Sequence, residues 1–327
     1  MQQRQSIVIY LCFIPILFLL VFCKSDSETG SYLGPVSVPN DNPQSVEKIA
    51  FGKQLFFDKR LSLDNSVSCA TCHVPELAFT DGQKLSAGIH NRLAMRNAPT
   101  LLNVAYQKTL MFDGEVPNLE MQVLVPLKDS AEMGNQMKEL IKKLRDIPEY
   151  QKQAQEIFKR DFDAYVLTRA LASFQRSIIS INSPFDSYYM GNKNTISTSA
   201  ERGWMLFSEK LYCTKCHAPP HFTNFKTENN GLYATYEDKF DKGRFRINGD
   251  SSEIGSFKVP VLRNISQTAP YMHDGSMDNL SEVLDHYSKG GNGHLNQSTN
   301  LVPFTLSNQE KKDLLAFFKS LSGTIID

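Results

Sequence analysis

The chain is poor in cysteine, has a single tryptophan and carries no excess charge of either sign. Lys+Arg and Asp+Glu both number 35, so the basic footprint of a nucleic-acid binder is missing. The six cysteines stand at 12, 23, 69, 72, 213 and 216. Two lie in an apolar leader and four in two short motifs, which leaves none for a disulfide framework. Between 43 and 190 no stretch alternates apolar and polar residues with period two, so the segments there are expected to be helices. No A-x-A cleavage site follows the leader. With 41% hydrophobic residues over 327 positions, the chain suits two domains of ordinary size, each with its own core.

What the sequence does have is Cys69-Ala70-Thr71-Cys72-His73, repeated as Cys213-Thr214-Lys215-Cys216-His217. A C-x-x-C-H run is the attachment pattern of c-type haem. Two cysteines one turn apart form thioethers to one porphyrin, and the adjacent histidine falls under the iron as its proximal ligand. A thioredoxin-like pair needs no trailing histidine. A zinc site would bring its two halves closer in sequence. The reading is two covalently bound haem c groups, with His73 and His217 on iron.

The leader, 1–23, has an apolar stretch at 7–22, shorter than the ~20 residues of a membrane span. It closes on Cys23, in the manner of a lipobox, although Phe22 is bulky for the preceding position. Lipidation of Cys23, an uncleaved anchor and ordinary cleavage stay open, and all three place the body outside the cytoplasm, in the periplasm. The polar stretch 24–42, with Gly30, Gly34, Pro35 and Pro39, is expected to be a flexible tether.

The expected architecture is mainly α, two cytochrome c-like helical domains over 43–190 and 191–327. Asn42-Pro43 is expected to cap a first helix. Helices are expected over 130–145 and 149–159, separated by Pro148. The clearest spans 163–179, with Val166, Leu167, Ala170, Leu171, Phe174 and Ile178 on one face. Thr198-x-x-Glu201 and Ser307-x-x-Glu310 read as capping boxes, the latter opening a helix that Gly323 ends. Gly52-Lys53-Gln54-Leu55-Phe56 before the first motif matches Gly203-Trp204-Met205-Leu206-Phe207 before the second. Pro75 and Phe79-Thr80 are echoed by Pro219 and Phe222-Thr223. The two halves look like a duplicated haem-binding unit.

Beyond the motifs, the chain resembles the bacterial di-haem cytochrome c peroxidase and MauG family over 46 to about 322. The resemblance rests on four segments. They are Leu55-Phe56-Phe57-Asp58-x-Arg60-Leu61-Ser62, Arg96-Asn97-Ala98-Pro99-Thr100-Leu101-Leu102-Asn103, Phe257-Lys258-Val259-Pro260-x-Leu262-Arg263-Asn264 and Thr268-Ala269-Pro270-Tyr271-Met272-His273-Asp274-Gly275. It implies peroxide reduction at the first haem, with electrons from a small cytochrome or cupredoxin entering through the second. It also implies that Gln122, Pro126 and Glu132 line the open face of the first haem. A carboxylate in an apolar pocket can move a proton between the two peroxide oxygens, and an amide can hold the peroxide. By sequence alone, Glu132 would be a solvated residue in a first helical turn.

Calcium is implied between the haems, held by the Asn97 side chain and the carbonyls of Thr268 and Pro270, since hard oxygen donors suit that ion. Two departures bear on function. The position of the inter-haem tryptophan is Phe112, for which Trp204 is no substitute by alignment. The sixth ligand of the second haem aligns with Tyr287, as in the MauG branch, where most of the peroxidases carry methionine. Met272, Met277 and His286 are competing ligands nearby, and Tyr287 could instead be packing beside Leu280, Val283 and Leu284. His90 sits one residue out of register with a histidine that caps the first haem in relatives. The resemblance therefore leaves a MauG-like oxidation of a partner protein as an alternative, and a di-haem electron carrier as a third reading. A carrier has no use for Gln122 and Glu132.

Overall fold

In a computed structural model of the chain, residues 32–326 are described. Cys23 and the leader lie outside them. Among the described residues no helix is long and apolar enough to cross a membrane. Their frame is α1 (Val46–Phe56), α2 (Met137–Arg145), α3 (Ala164–Ser177), α4 (Thr198–Met205), α5 (Leu280–Ser288) and α6 (Asn308–Ser320), with long, mostly irregular stretches of one-turn helices and loops after α1 and after α4. Two small antiparallel ribbons complete it. One pairs β1 (Ile179–Ile181) with β4 (Thr324–Ile326), Ile179 opposite Ile326, and the other pairs β2 (Thr227–Glu228) with β3 (Phe257–Lys258).

Two apolar cores form. One gathers Phe51, Leu55 and Phe56 of α1 with Val166, Leu167, Ala170 and Phe174 of α3. The other gathers Phe185, Phe207 and Phe222 with Leu314, Phe317 and Leu321. Each is built on a helix pair in backbone contact. A Cβ on Gly52 would run into the Ala170 carbonyl, and one on Gly203 into the Asp313 carbonyl. One turn further along each partner helix stands a phenylalanine, Phe174 and Phe317, whose Cβ meets the same glycine. Only glycine admits this approach, so the matched Gly-x-x-Leu-Phe segments of the sequence do the same packing in both halves.

Several boundaries differ from the sequence reading. Ser45 caps α1, accepting from the Lys48 amide at 3.2 Å. Asn42 is instead fully buried, its amide donating to Glu120 at 2.8 Å and to the Arg169 carbonyl at 3.1 Å. There it helps satisfy the buried Glu120–Arg176 ion pair, and a buried charge must be satisfied. Ser197, not Thr198, caps α4. The box at Ser307 and Glu310 forms as expected. The helix expected over 130–145 starts only at Met137, because 129–136 is a turn with Gly134 at φ +68°. The helix after Pro148 runs to Gln153 and widens into a π turn over Ala154–Phe158.

The segment expected to be a flexible tether is, over its described part 32–42, packed on the body. Leu33 is buried, Tyr106 donates to the Gly34 carbonyl at 3.1 Å, and Asp41 pairs with Arg169 at 2.5 Å. The apolar Leu33 and aromatic Tyr32, whose ring meets Tyr189 at a tilt with centroids 5.5 Å apart, outweigh the glycine and proline content on which the expectation rested.

Candidate haem sites and the ground between them

Each C-x-x-C-H run ends with its histidine held the same way. His73 Nδ1 meets the Phe79 carbonyl at 3.1 Å and His217 Nδ1 meets the Phe222 carbonyl at 2.9 Å. A carbonyl only accepts, so Nδ1 carries the proton and Nε2 keeps its lone pair for a metal. Phe79 and Phe222 are buried, with φ of +58° and +57°. Burial holds both imidazoles below their ordinary range, which keeps them neutral. It also pushes the Cys69 and Cys213 thiols up to about 12. The four cysteines are unpaired, as thioether formation requires.

Of the three residues singled out in the sequence, Glu132 lies beside the first motif, and Gln122 and Pro126 lie on the segment just before Glu132 in the chain. Gln122 and Pro126 come from consecutive short helices, Leu119–Gln122 and Leu124–Lys128, the first capped by Asn118. Gln122 Nε2 faces Met111 Sδ at 3.8 Å, while its Oε1 is buried without a partner. An orphaned buried acceptor is rare, and it fits a pocket that receives a hydrogen-bonding guest. Glu132 lies in the turn after Lys128, not in a helical first turn. Its carbonyl accepts from the Ile89 amide at 2.8 Å, and Gly88 presses so closely that a Cβ there would clash with Glu132. Burial, with Asp129 adding to it, raises the carboxyl to about 7. Its charge reaches both Cys69 and Cys72, which places it beside the first motif. His90 points elsewhere. It is half-exposed and faces Asp64 at 3.6 Å.

Over the second motif stands Tyr287, on α5. Burial pushes its phenol up to about 12, against a side-chain hydrogen bond from Asn230, and the charges of Cys216 and Cys213 are felt there. Two of the three competing donors are otherwise engaged. Met272 Sδ accepts from Asn230 Nδ2 at 3.4 Å, and His286 Nε2 donates to the Asn230 carbonyl at 2.9 Å. Asn230 was not singled out from the sequence, where nothing marks it.

Between the motifs, Arg96 donates to Asp113 at 2.8 Å and to Asp241 at 2.6 Å. Its guanidinium lies 6.0 Å from the Phe112 ring and 5.6 Å from the Phe257 ring. Trp204 packs in the second core against Phe185 and Phe317. The three implied calcium residues come from adjoining segments. The Asn97 backbone amide donates to the His273 carbonyl at 2.8 Å. Its Nδ2 is spent on the Gln83 carbonyl at 2.8 Å, while Thr268 and Pro270 lie just before His273. Among the described residues no cluster of three or more His, Cys, Asp or Glu could hold a metal ion.

The structure also exposes a longer repeat than the one quoted from the sequence. Leu110 bridges to Val116 as Tyr271 bridges to Met277. Met111 and Met272 both have positive φ, as do Gly114 and Gly275. Asn118 and Asn279 cap the helices that follow. In this frame Phe112 corresponds to His273 and Pro126 to Tyr287. The shared Met-x-Asp-Gly-x-x-x-Asn-Leu at 111–119 and 272–280 was the available signal.

The model of the di-haem cytochrome c peroxidase family matches residues 46–194. The chain is 38% identical to cytochrome-c peroxidase IdrP1 of Pseudomonas sp. (strain SCT), over 89% of this chain and 84% of that one. It is likewise 38% identical to the methylamine utilization protein MauG of Methylorubrum extorquens, over 88% and 82%. A crystal structure of a MauG-like protein associated with microbial copper homeostasis superposes with TM-score 0.83 at 34% identity, covering 91% of this chain and 95% of that one. The chain thus belongs to the di-haem cytochrome c peroxidase and MauG family, and it is a peroxidase-type oxidoreductase.

Proposed function

We propose that the protein reduces hydrogen peroxide in the pocket of Gln122, Pro126 and Glu132, with electrons delivered from a small soluble cytochrome or cupredoxin through the second site. The observation that carries this is the Glu132 carboxyl, buried beside the first motif and raised to about 7. Both motifs fit a covalent haem: free thiols, and a histidine whose lone pair is freed by a carbonyl on its other nitrogen. Each haem, when bound, supplies an iron for redox chemistry with peroxide. Around it the chain does the rest. Glu132 takes the proton from one peroxide oxygen and returns it to the departing one, a task suited to a group titrating near the working pH. Gln122 Oε1 accepts a hydrogen bond from the bound peroxide. Pro126 offers no donor atom and so leaves that face open. Tyr287 closes the corresponding face of the second haem.

The two cytochrome c domains, 43–190 and 191–327, arose by duplication in this reading, which the paired glycine crossings and the Met-x-Asp-Gly repeat support. Asn97, Thr268 and Pro270 hold a calcium ion, with Asn97 Oδ1 left available by the engagement of its Nδ2. The body works in the periplasm, held to a membrane surface through lipidated Cys23.

A second reading, oxidation of residues on a partner protein, is favoured by Tyr287, which stands where most of the peroxidases carry methionine. Turnover of hydrogen peroxide with a reduced cytochrome or dye as donor separates them. Catalytic donor oxidation supports the first reading. Peroxide consumption with no donor oxidation overturns it in favour of the second.

A further inference from the structure

From Phe112, across the Arg96 guanidinium, a run of rings begins at Phe257 and His273. The Arg96 guanidinium faces both Phe112 and Phe257, at 6.0 and 5.6 Å. Phe257 stacks on His273 with centroids 3.8 Å apart and planes 17° apart. His273 meets Tyr233 edge-on at 6.4 Å, Tyr233 meets Tyr236 at 5.6 Å, and Tyr236 meets His294 at 5.3 Å. Phenylalanine and histidine are hard to oxidise, so the first readily oxidised ring along this path is Tyr233. Its hydroxyl donates a short hydrogen bond to Asp274 Oδ2. Asp274 stays ionised because the bonds from Tyr233 and Ser276 outweigh the effect of its burial. Tyr236 is a poorer stopping point, since its buried hydroxyl has no partner and a proton lost there has no acceptor.

We propose that Tyr233 is a redox-active tyrosine, giving up one electron to the peroxide-oxidised di-haem centre and its phenolic proton to Asp274. The bookkeeping closes. The phenol O–H breaks and a neutral tyrosyl radical remains. The electron reduces the oxidised centre by one equivalent, and the proton forms the Asp274 carboxylic acid. Hydrogen peroxide is the oxidant that the family chemistry supplies. The arrangement gives the enzyme an outlet for oxidising equivalents when no external donor is bound. Lys239, with its Nζ 4.0 Å from the ring centroid, disfavours a positively charged ring and so reinforces the coupling of electron loss to proton loss. Trp204, the more oxidisable ring by type, is packed in the second core and makes no ring contact with this run.

The proposal rests on peroxide reacting at the di-haem centre, and the test separates the two. The full holoenzyme, purified with both haems, is mixed with hydrogen peroxide without donor, freeze-quenched and examined by electron paramagnetic resonance, with protein grown on ring-deuterated tyrosine alongside. Wild type gives an organic radical whose line narrows on deuteration. Tyr233→Phe and Asp274→Asn lose most of it while retaining covalent haem and the optical response to peroxide. Tyr150→Phe is the control, because Tyr150 also donates to a carboxylate, Asp58, but lies in the first core away from this run. A radical retained in Tyr233→Phe, or lost only in Tyr150→Phe, overturns the assignment. An optical response in wild type with no tyrosyl radical overturns it and leaves the peroxidase reading intact. No optical response in wild type overturns both.

Discussion

Pro126 and Tyr287 stand at the same step of two repeated segments, and as neighbours to a metal they are opposites. One has no donor atom; the other has a phenol. Around them the halves agree closely. Each begins with a glycine crossing, at Gly52 and Gly203. Each holds its histidine by a carbonyl of a buried left-handed phenylalanine, at Phe79 and Phe222. Each has an asparagine cap eight residues before the variable position, Asn118 or Asn279. The proximal side is thus held constant while the opposite side diverges. A few side chains on matched local geometry thus set the two sites apart, as expected where function lives in sites grafted on a fold.

The strongest way to break the comparison is at the attachment points. Cys69→Ala and Cys213→Ala should each remove about half of the covalent haem, as read by pyridine haemochrome, since each motif is expected to hold one group. Zinc in place of iron in a metal assay would refute the assignment of both motifs. The losses should be equal in amount and unlike in consequence, with only the first abolishing the peroxide-reactive pocket.

Glu132→Gln is next in size. It preserves shape and removes the base, and a general acid–base group contributes ~10²–10⁴-fold in rate, about 3–5 kcal/mol of barrier. The wild-type rate should rise as pH increases through about 7, where the carboxylate forms, and the variant should show no such limb. Stability moves the other way. The folded group titrates near 7, above the ordinary value of 4.5, so the native state holds the extra proton between these values. Its contribution is therefore fully present below about 4.5 and is lost as pH rises through about 7. Melting temperature against pH should fall less steeply in Glu132→Gln across that window. A variant with normal haem and a rate within about threefold of wild type would remove the role.

The second half offers the matching test. Tyr287→Phe should abolish the six-coordinate ferric spectrum of the second haem, with both haems still attached, because phenylalanine then resembles Pro126 in offering no donor. A near-infrared band of His–Met ligation in wild type, or an unchanged spectrum in the variant, would return Tyr287 to packing. A phenolate stabilises ferric iron more than a thioether does, so the expected potential of the second haem is low.

How much of this could be read in advance follows the range of the interactions. The C-x-x-C-H runs are legible because covalent attachment fixes spacing along the chain. The long helix α3 is legible because its apolar face repeats locally. Glu132 is not, since its raised carboxyl comes from burial that exists only in the folded chain, where its backbone is held by Gly88 and Ile89, more than forty positions away. The capping role given to Asn42 failed for the same reason: its partners are Glu120 and Arg169. The ribbon between β1 and β4 joins the middle of the chain to its C-terminal segment, and each strand has only three residues to announce it. The tether reading failed because composition describes a chain in solvent, whereas Leu33 is buried against the body.

The finest test concerns Phe112, which occupies the position that His273 holds in the other repeat. Phe112 is fixed from both sides. Its carbonyl accepts from the Lys258 amide at 2.6 Å, and its ring lies under Arg96. Replacement by tryptophan should therefore keep the backbone and enlarge only the ring, at a stability cost of about 1–3 kcal/mol if the site is tightly packed. Indole is easier to oxidise than benzene, so Phe112→Trp should strengthen electronic coupling between the two sites. The measurable consequence is a stronger near-infrared charge-resonance band after peroxide addition and a changed decay rate. The Arg96 cation within about 6 Å opposes positive charge on either ring, which is why the expected effect is the smallest of the series. Identical spectra and decay in the two proteins would make Phe112 a packing residue and move the contact between the halves to another path.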